Sequence, residues 1–509
     1  MERKITNTLL EWKKDPEKKA LVIIGARQIG KTYIINEFGE KYYDYHLHLD
    51  FSKMPGAFEI FKGNIDSNSI LERINLYYPQ FKAVRGKSLL FLDEIHLCPA
   101  ARSSVKSLSS DGRVDVITSG SLLGVKGLKR KKGEKWGPLL DDDFEIVMRD
   151  EYSKSVVPDV DMEKIVRQSM EDGRNTILPT GYESIHEMLP MDFEEYLWAI
   201  GISHEQTRKI REHIHEREPF DEGTLTALNY YFSRYVLTGG MPEAVKMSLL
   251  ENEADQRMLS AQGDIVVNYL GDINKYAPKG IIVETNRVYT SIPSHLNRTN
   301  RRFRFVDIEG KENKGMREYA DPIYWLETAG MVIICDCLNE PVMPLECNVG
   351  KSFKLYMNDS GLLCSQIDRG SRIAIAEGRN DVNKGGIMEN VIACMIVSSG
   401  LEPYYFERNK PTDNGVDRIE IDFIVNFGGG LAAIEVKSGK NRRSSSLKKL
   451  KNDERYSMYS ISRFIKLGIT NIMVDDEGIE HYPLFAAAFM DSMYDLKNIE
   501  YRKDLKLNL

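Results

Sequence analysis

The run Gly25-Ala26-Arg27-Gln28-Ile29-Gly30-Lys31-Thr32 has the residue types and spacing of a phosphate-binding loop, G-x-x-x-x-G-K-[ST]. Its glycines let backbone N–H groups curl around phosphate oxygens, and a helix starting at its end turns a positive dipole toward them. Lys31 then reaches the outer phosphates, and Thr32 offers a hydroxyl to Mg²⁺. The expected ligands are ATP and Mg²⁺. The span SLLFLDEIH (88–96) is apolar until two carboxylates appear at its end. Ligands of open α/β sheets collect at the carboxyl ends of strands. Asp93 is therefore expected in the Mg²⁺ shell, and Glu94 is placed to orient and polarise an attacking water. A third run, VDVITSG (114–120), ends in hydroxyls. Ser119 is the candidate to sense the γ-phosphate or the water if its strand lies beside the other two, although Ser and Gly after a strand are also plain turn residues.

A second constellation lies near the C-terminus. RIEIDFIVN and LAAIEVKSG flank Gly428-Gly429-Gly430 and predict a hairpin. A turn centred between Gly428 and Gly429 sets Asp422 opposite Glu435. Opposed carboxylates destabilise a sheet unless something compensates them, and Mg²⁺ is a natural compensator. Strand period puts Lys437 on the face of Glu435. Asp, then Glu-x-Lys, is the pattern of PD-(D/E)XK nucleases, in which carboxylates bind metal and lysine assists the attacking water or the charged transition state. Glu389, on a preceding helix, resembles the further helical acid of that fold. The basic stretch KSGKNRRSSSLKKLK (437–451) is suited to phosphate contact. Two plainer readings stand beside this one, a structural Asp422–Lys437 ion pair and a nuclease-like fold serving only as a binding platform.

These residues need elements to hold them. From 20 to 120, short apolar runs alternate with helical patterns, which predicts a mostly parallel sheet covered by helices on both faces. The segment 185–275 has helical period, punctuated by TGGMPEA (238–244), and is expected to form a lid. Helices at 282–297 and 313–329, followed by the strands MVIICDCL and FKLYMND, suggest a winged helix. A turn-rich stretch (368–386) precedes an amphipathic helix at 387–399 and the paired strands. Residues 124–176 interrupt the rhythm and read as an insertion, helical at 160–170.

Length, composition and charge bound the rest. The 509 residues, 42% hydrophobic and 28% charged, suit a folded chain of several domains. Balanced charge, 69 basic against 76 acidic, confines any DNA contact to local patches such as 126–135, 298–304 and 437–451. Within 298–304, Arg298, Arg301, Arg302 and Arg304 make either a DNA-facing edge or a soluble surface. Six cysteines without regular spacing exclude a disulfide framework, and Cys335 and Cys337 have no second pair at zinc-site spacing. His46, His48, His213 and His215 read as core or solvated residues. A charged N-terminus and apolar runs far short of the roughly 20 residues a membrane helix needs place the protein in the cytoplasm.

The spans GARQIGKT, LLFLDEIH, TSGSLLG, LPMDFEEYLWA, YVLTGGMPEAV and IDFIVNFGGGLAAIEVKSGKN, in this order over nearly the whole chain, resemble the AAA-superfamily predicted ATPases of bacteria and archaea. Members of that group carry a C-terminal domain of long-unknown function. The resemblance implies an α/β P-loop core with helical lid (1–123 and 177–275), a winged-helix-like domain (276–370) and a restriction-endonuclease-like α/β domain (380–509). It places Pro242 over the adenine, and it leaves 124–176 as a departure without an assigned role. Arg27, Arg174 and Arg234 are candidates of equal standing for an arginine finger, so a monomer and an oligomer both stay open. The expected function is ATP hydrolysis whose nucleotide state controls a DNA-directed nuclease-like domain. The alternative is a nucleotide-gated regulatory protein, bound to DNA or a protein partner, whose nuclease-like domain is silent.

Overall fold

The computed structural model describes residues 1–120, 181–250, 253–298, 301–305, 308, 316–347, 352–376, 384–412, 415–427, 430–439 and 445–493. The expected insertion (124–176), with its 160–170 helix and Arg174, lies outside them, as do the basic run 126–135 and the turn glycines Gly428 and Gly429.

The N-terminal sheet contains β1 (Ala20–Ile24), β2 (Tyr45–Asp50), β3 (Ser88–Asp93), β4 (Asp115–Ser119) and β5 (Glu183–Glu187), in the spatial order β2-β3-β4-β1-β5 with every pair parallel. β1, β3 and β4 are buried along their whole length, as continuous apolar runs require when helices cover both faces. β5 falls where helical period was expected to continue. Its exposure pattern is nearly uniform, so it carries little alternation to betray it. Beyond it, helices Phe193–Ala199, His204–Glu216, Glu222–Thr238, Pro242–Ser248 and Ala254–Tyr276 fill the helical segment that the sequence reading took as a lid. The first of these opens with a capping box between Asp192 and Glu195, which explains why the acidic pair of LPMDFEEYLWA starts a helix.

The second sheet has nine strands. They are β6 (Val332–Glu340), β7 (Glu346–Cys347), β8 (Phe353–Met357), β9 (Tyr404–Thr412), β10 (Gly415–Asn426), β11 (Leu431–Val436), β12 (Ile461–Gly468), β13 (Met473–Val474) and β14 (Glu480–Pro483). Their order is β13-β14-β12-β11-β10-β9-β6-β7, with β8 paired to β6. Helices Ile282–Leu296 and Met316–Thr328 stand close to where they were expected. The strands after them do not stand apart as a wing, because β6 pairs in parallel with β9 and so joins the C-terminal strands in one sheet. A further helix, Arg369–Ala376, stands inside the stretch expected to be turns.

Helix Gly385–Ser398, expected to be amphipathic, is buried over most of its length. It packs between this sheet and the apolar segment Leu484–Ser492, which leaves mainly its C-terminal turn partly open to water. One continuous apolar core runs from Leu9 through the lid to Met493 and ties lid and C-terminal sheet together. The Phe193 and Phe485 rings meet at a tilt, and Arg211 joins Glu194 to Asp491 across that contact. No disulfide joins cysteines among the described residues, and no described helix is long and apolar enough to cross a membrane.

Candidate functional site

Lys31 opens helix Lys31–Tyr42, and Gly30 at its N-cap has φ +90°, a left-handed turn that favours glycine. Gly25 (φ +147°) is constrained more tightly, because a Cβ there would meet the Met188 carbonyl oxygen at 2.2 Å. Gln28 takes a left-handed φ of +63° between them. Ala26 and Ile29 are buried and anchor the loop from below. Arg3, near the start of the chain, donates to the Ile29 carbonyl at 3.0 Å and the Leu189 carbonyl at 2.6 Å, and pairs with Glu195 at 3.1 Å. Sequence reasoning missed this brace, since its partners lie up to 192 residues apart in the chain.

The strand order does the rest. β4 lies between β1 and β3, so Ser119 and Asp93 end side by side next to the loop. Thr32 Oγ1 donates to Asp93 Oδ2 at 2.7 Å, and Ser119 Oγ donates to Asp93 Oδ1. His48 Nε2 lies 3.3 Å from Asp93 Oδ2, with its ring stacked on Phe91. Burial would raise the Asp93 pKa, but hydrogen bonds from His48, Ser119 and Thr32 outweigh it and hold the carboxylate below its ordinary range. Burial also lowers the Lys31 ammonium to about 8, opposed by Glu94 and Asp93, while Nζ donates to the Gly25 and Ala26 carbonyls at 2.9 and 2.8 Å.

Glu94 follows the strand in a left-handed conformation, φ +50°, which is uncommon for a side chain of its size and turns it away from the strand path. His96 Nδ1 lies 3.3 Å from Glu94 Oε2 and was not picked out by the sequence reading. Among the described residues, the three-member group of metal-capable side chains is His48, Asp50 and Asp93. The histidine expected to be plain core or surface thus stands at Asp93. The register that sets Asp50 beside Asp93 is invisible until the strands are paired.

A cleft of about 1600 Å³ runs over these groups, lined by Gly30, Lys31, Thr32, Glu94, Pro242 and Tyr276 among others. Pro242 begins helix Pro242–Ser248, and its Cγ would be 3.6 Å from a Cβ at Gly30, so the TGGMPEA motif and the phosphate loop face one cavity. Of the arginine candidates, Arg27 is clasped by the long lid helix through Asp272 Oδ1 at 2.7 Å and Tyr276 Oη at 2.6 Å. Arg234 pairs with Asp255 at 2.7 Å.

The second constellation also assembles. β10 and β11 pair as Phe423↔Ile434 and Ile424↔Ala433, the register that sets Asp422 opposite Glu435. Asp422 Oδ2 accepts the Val436 N–H at 2.8 Å, and Lys437 Nζ lies 2.7 Å from Glu435 Oε1, not from Asp422. Burial raises the Glu435 carboxyl against the pull of Lys437. Glu389 is fully buried close by, but its oxygens face Arg301, Lys354 and Tyr356. Among the described residues, Asp422, Glu435 and Glu389 do not close into a three-carboxylate cluster of metal-binding size. Arg301 and Arg302, read as a surface edge, turn onto Glu389 and Glu407 of the C-terminal unit. Lys354, on β8, was missed, although a lysine inside the apolar run FKLYM was a usable signal.

Residues 17–134 match the family of AAA domains. Two further stretches match domains of unknown function, DUF8612 over 229–372 and DUF4143 over 384–482. No curated protein matches the chain in sequence. Among solved structures, a Walker-type ATPase of Pyrococcus abyssi aligns over 71% of this chain and 94% of its own, at 10% identity and a TM-score of 0.37. The AAA match takes in the phosphate loop and strands β1 to β4.

Proposed function

We propose that the chain binds and hydrolyses Mg²⁺-ATP at the phosphate loop and that the state of this nucleotide is passed to the C-terminal sheet. The observation that carries the first part is the convergence of Lys31, Thr32, Asp93, Glu94 and Ser119 at the carboxyl ends of three adjacent parallel strands, with Lys31, Thr32 and Glu94 lining one cleft and Asp93 and Ser119 buried behind Thr32. Backbone N–H groups of the loop and Lys31 would hold the phosphates. Thr32 and Asp93 suit the Mg²⁺, with His48 fixing the orientation of Asp93, and Glu94 would set the water in line. Mg²⁺, when bound, would supply charge neutralisation for the phosphates. Lys31→Ala is expected to abolish ATP binding, and Glu94→Gln to bind ATP with turnover lowered by about 100-fold or more. Wild-type hydrolysis by Lys31→Ala would sink the assignment.

The C-terminal unit we read as a DNA-directed nuclease-like domain under nucleotide control. What supports it is Asp422 facing Glu435 across two strands, with Lys437 at 2.7 Å from Glu435 and basic residues following. Plasmid DNA incubated with Mg²⁺ or Mn²⁺, with and without ATP, tests it. Cutting that Lys437→Ala abolishes upholds the reading, and DNA binding without cutting by either protein leaves only a nucleotide-gated binding role.

A further inference from the structure

The carboxylates of the C-terminal site are not equivalent. Lys354 has no exposed side-chain surface, and its Nζ lies 3.4 Å from Glu389 Oε2, 3.6 Å from Glu420 Oε1 and 4.0 Å from Asp422 Oδ1. The ring of Tyr405 lies below it, 5.0 Å from Nζ to centroid. Glu389 has its other oxygen on Arg301, and Tyr356 Oη donates to Oε2 at 3.2 Å. Both oxygens are thus already facing donors, two of them cationic. A divalent ion there would have to sit beside a buried ammonium and a guanidinium, in surroundings where like charges repel strongly.

Glu435 differs. It is 4% exposed, and although its Oε1 faces Lys437 Nζ at 2.7 Å, its Oε2 has no hydrogen-bond partner among the described residues, a costly condition for a buried carboxylate oxygen. Asp422 uses Oδ2 on the Val436 N–H, while its Oδ1 has Lys354 only at the edge of ion-pair range.

We propose that Lys354 is a built-in cation of this site, its ammonium neutralising Glu389 and Glu420, so that only Asp422 and Glu435 remain to hold a single divalent ion. The proposal rests on the reading of Asp422 and Glu435 as cation ligands, not on DNA cleavage. Lys354 and Arg301 are positioning residues in it, and Glu389 is their counter-ion and not a metal ligand.

The test is Mn²⁺ binding followed by the electron paramagnetic resonance of the free ion. The full chain is used without nucleotide and with Asp93→Asn throughout, to silence the phosphate-loop side. One Mn²⁺ is expected per chain. Glu389→Gln should keep its affinity within about threefold, whereas Asp422→Asn and Glu435→Gln should weaken it beyond the roughly 10–100-fold that loss of an outer-shell partner costs. Lys354→Met should take up one more Mn²⁺ than its parent and be raised further in melting temperature by the ion. Loss of Mn²⁺ in Glu389→Gln, or an unchanged count in Lys354→Met, overturns the proposal. If the parent binds none and Lys354→Met binds one, the cation reading of Asp422 and Glu435 fails while the role of Lys354 stands. If neither binds, both fail. Should Lys354→Met not fold, the Glu389→Gln comparison decides alone.

Discussion

Asp359 Oδ2 accepts the backbone N–H of Gly240 at 2.6 Å, joining residues 119 positions apart. Gly240 belongs to the turn that leads into Pro242 at the nucleotide cleft, and Asp359 ends the segment that begins as β8. The same carboxylate caps helix Ser360–Ser365 through the Leu362 N–H at 2.9 Å. Farther back on β8, Lys354 and Tyr356 contact Glu389. One short strand therefore touches the lid turn at one end and the buried acid of the second sheet at the other.

The fit at this turn leaves no room for a side chain. A Cβ on Gly240 would stand 1.9 Å from the Met191 carbonyl oxygen and 2.7 Å from its nitrogen, both backbone atoms that cannot yield without moving the loop. Gly240→Ala is expected to cost about 1–3 kcal/mol in urea unfolding and to weaken ATP binding, since Met191 lines the cleft. Gly263→Ala, on the long lid helix with nothing within 4 Å, is the matched control and should gain up to about 1 kcal/mol. Equal stability of the two variants would contradict the close approach.

Burial raises the Asp359 carboxyl to about 6, although three backbone N–H groups, those of Gly240, Leu362 and Gly361, pull it down. A carboxyl raised on folding binds its proton more tightly in the native state. Its contribution is full below the unfolded value near 3.8 and is lost as pH rises through about 6. The stability lost across that window is on the order of 3 kcal/mol. Asp359→Asn, which cannot ionise, should remove it, so wild type minus variant should fall between about pH 4 and 6 and be level above. Unfolding free energies measured across that range check this, and a difference independent of pH would refute it.

Much of the phosphate site was legible because its chemistry is local. The loop, the strand before it and the helix after it are contiguous, and β3 announces its carboxylates by a change from apolar to acidic within one strand. The Asp422–Glu435 register was legible for a similar reason, since three glycines fix the turn and strand period fixes the rest. What could not be read is what depends on distant pairing. His48 becomes a partner of Asp93 only once β2 lies beside β3. Arg301 looks like surface until Glu389 is placed beneath it. Helix Gly385–Ser398 carries a glutamate that suggests a wet face, and only the buried Lys354 and the half-buried Arg301 explain how that charge is kept inside. Strand β6 was visible as a strand, but its parallel partner β9 lies beyond three described helices and could not be inferred.

Tyr269 offers a direct test of whether the two sheets speak to each other. Its hydroxyl, on the long lid helix, donates to the Arg27 carbonyl of the phosphate loop at 3.3 Å and receives Asn358 Nδ2 at 3.4 Å. Just before Asn358, the Met357 N–H is held by Asn390 Oδ1 at 2.7 Å, next to Glu389. If this chain of contacts carries nucleotide state to the acidic site, loosening its far side must be felt at the phosphate loop. Asn358→Ala removes a hydrogen bond worth about 0.5–1.5 kcal/mol and is expected to weaken ATP binding by roughly twofold to tenfold, although Asn358 lies outside the nucleotide cleft. Tyr269→Phe should do the same. The double variant should fall short of the sum, because both substitutions break one linked pair. Full additivity, or an ATP affinity that Asn358→Ala leaves untouched, would mean that β8 is a structural buttress and that the signal travels elsewhere.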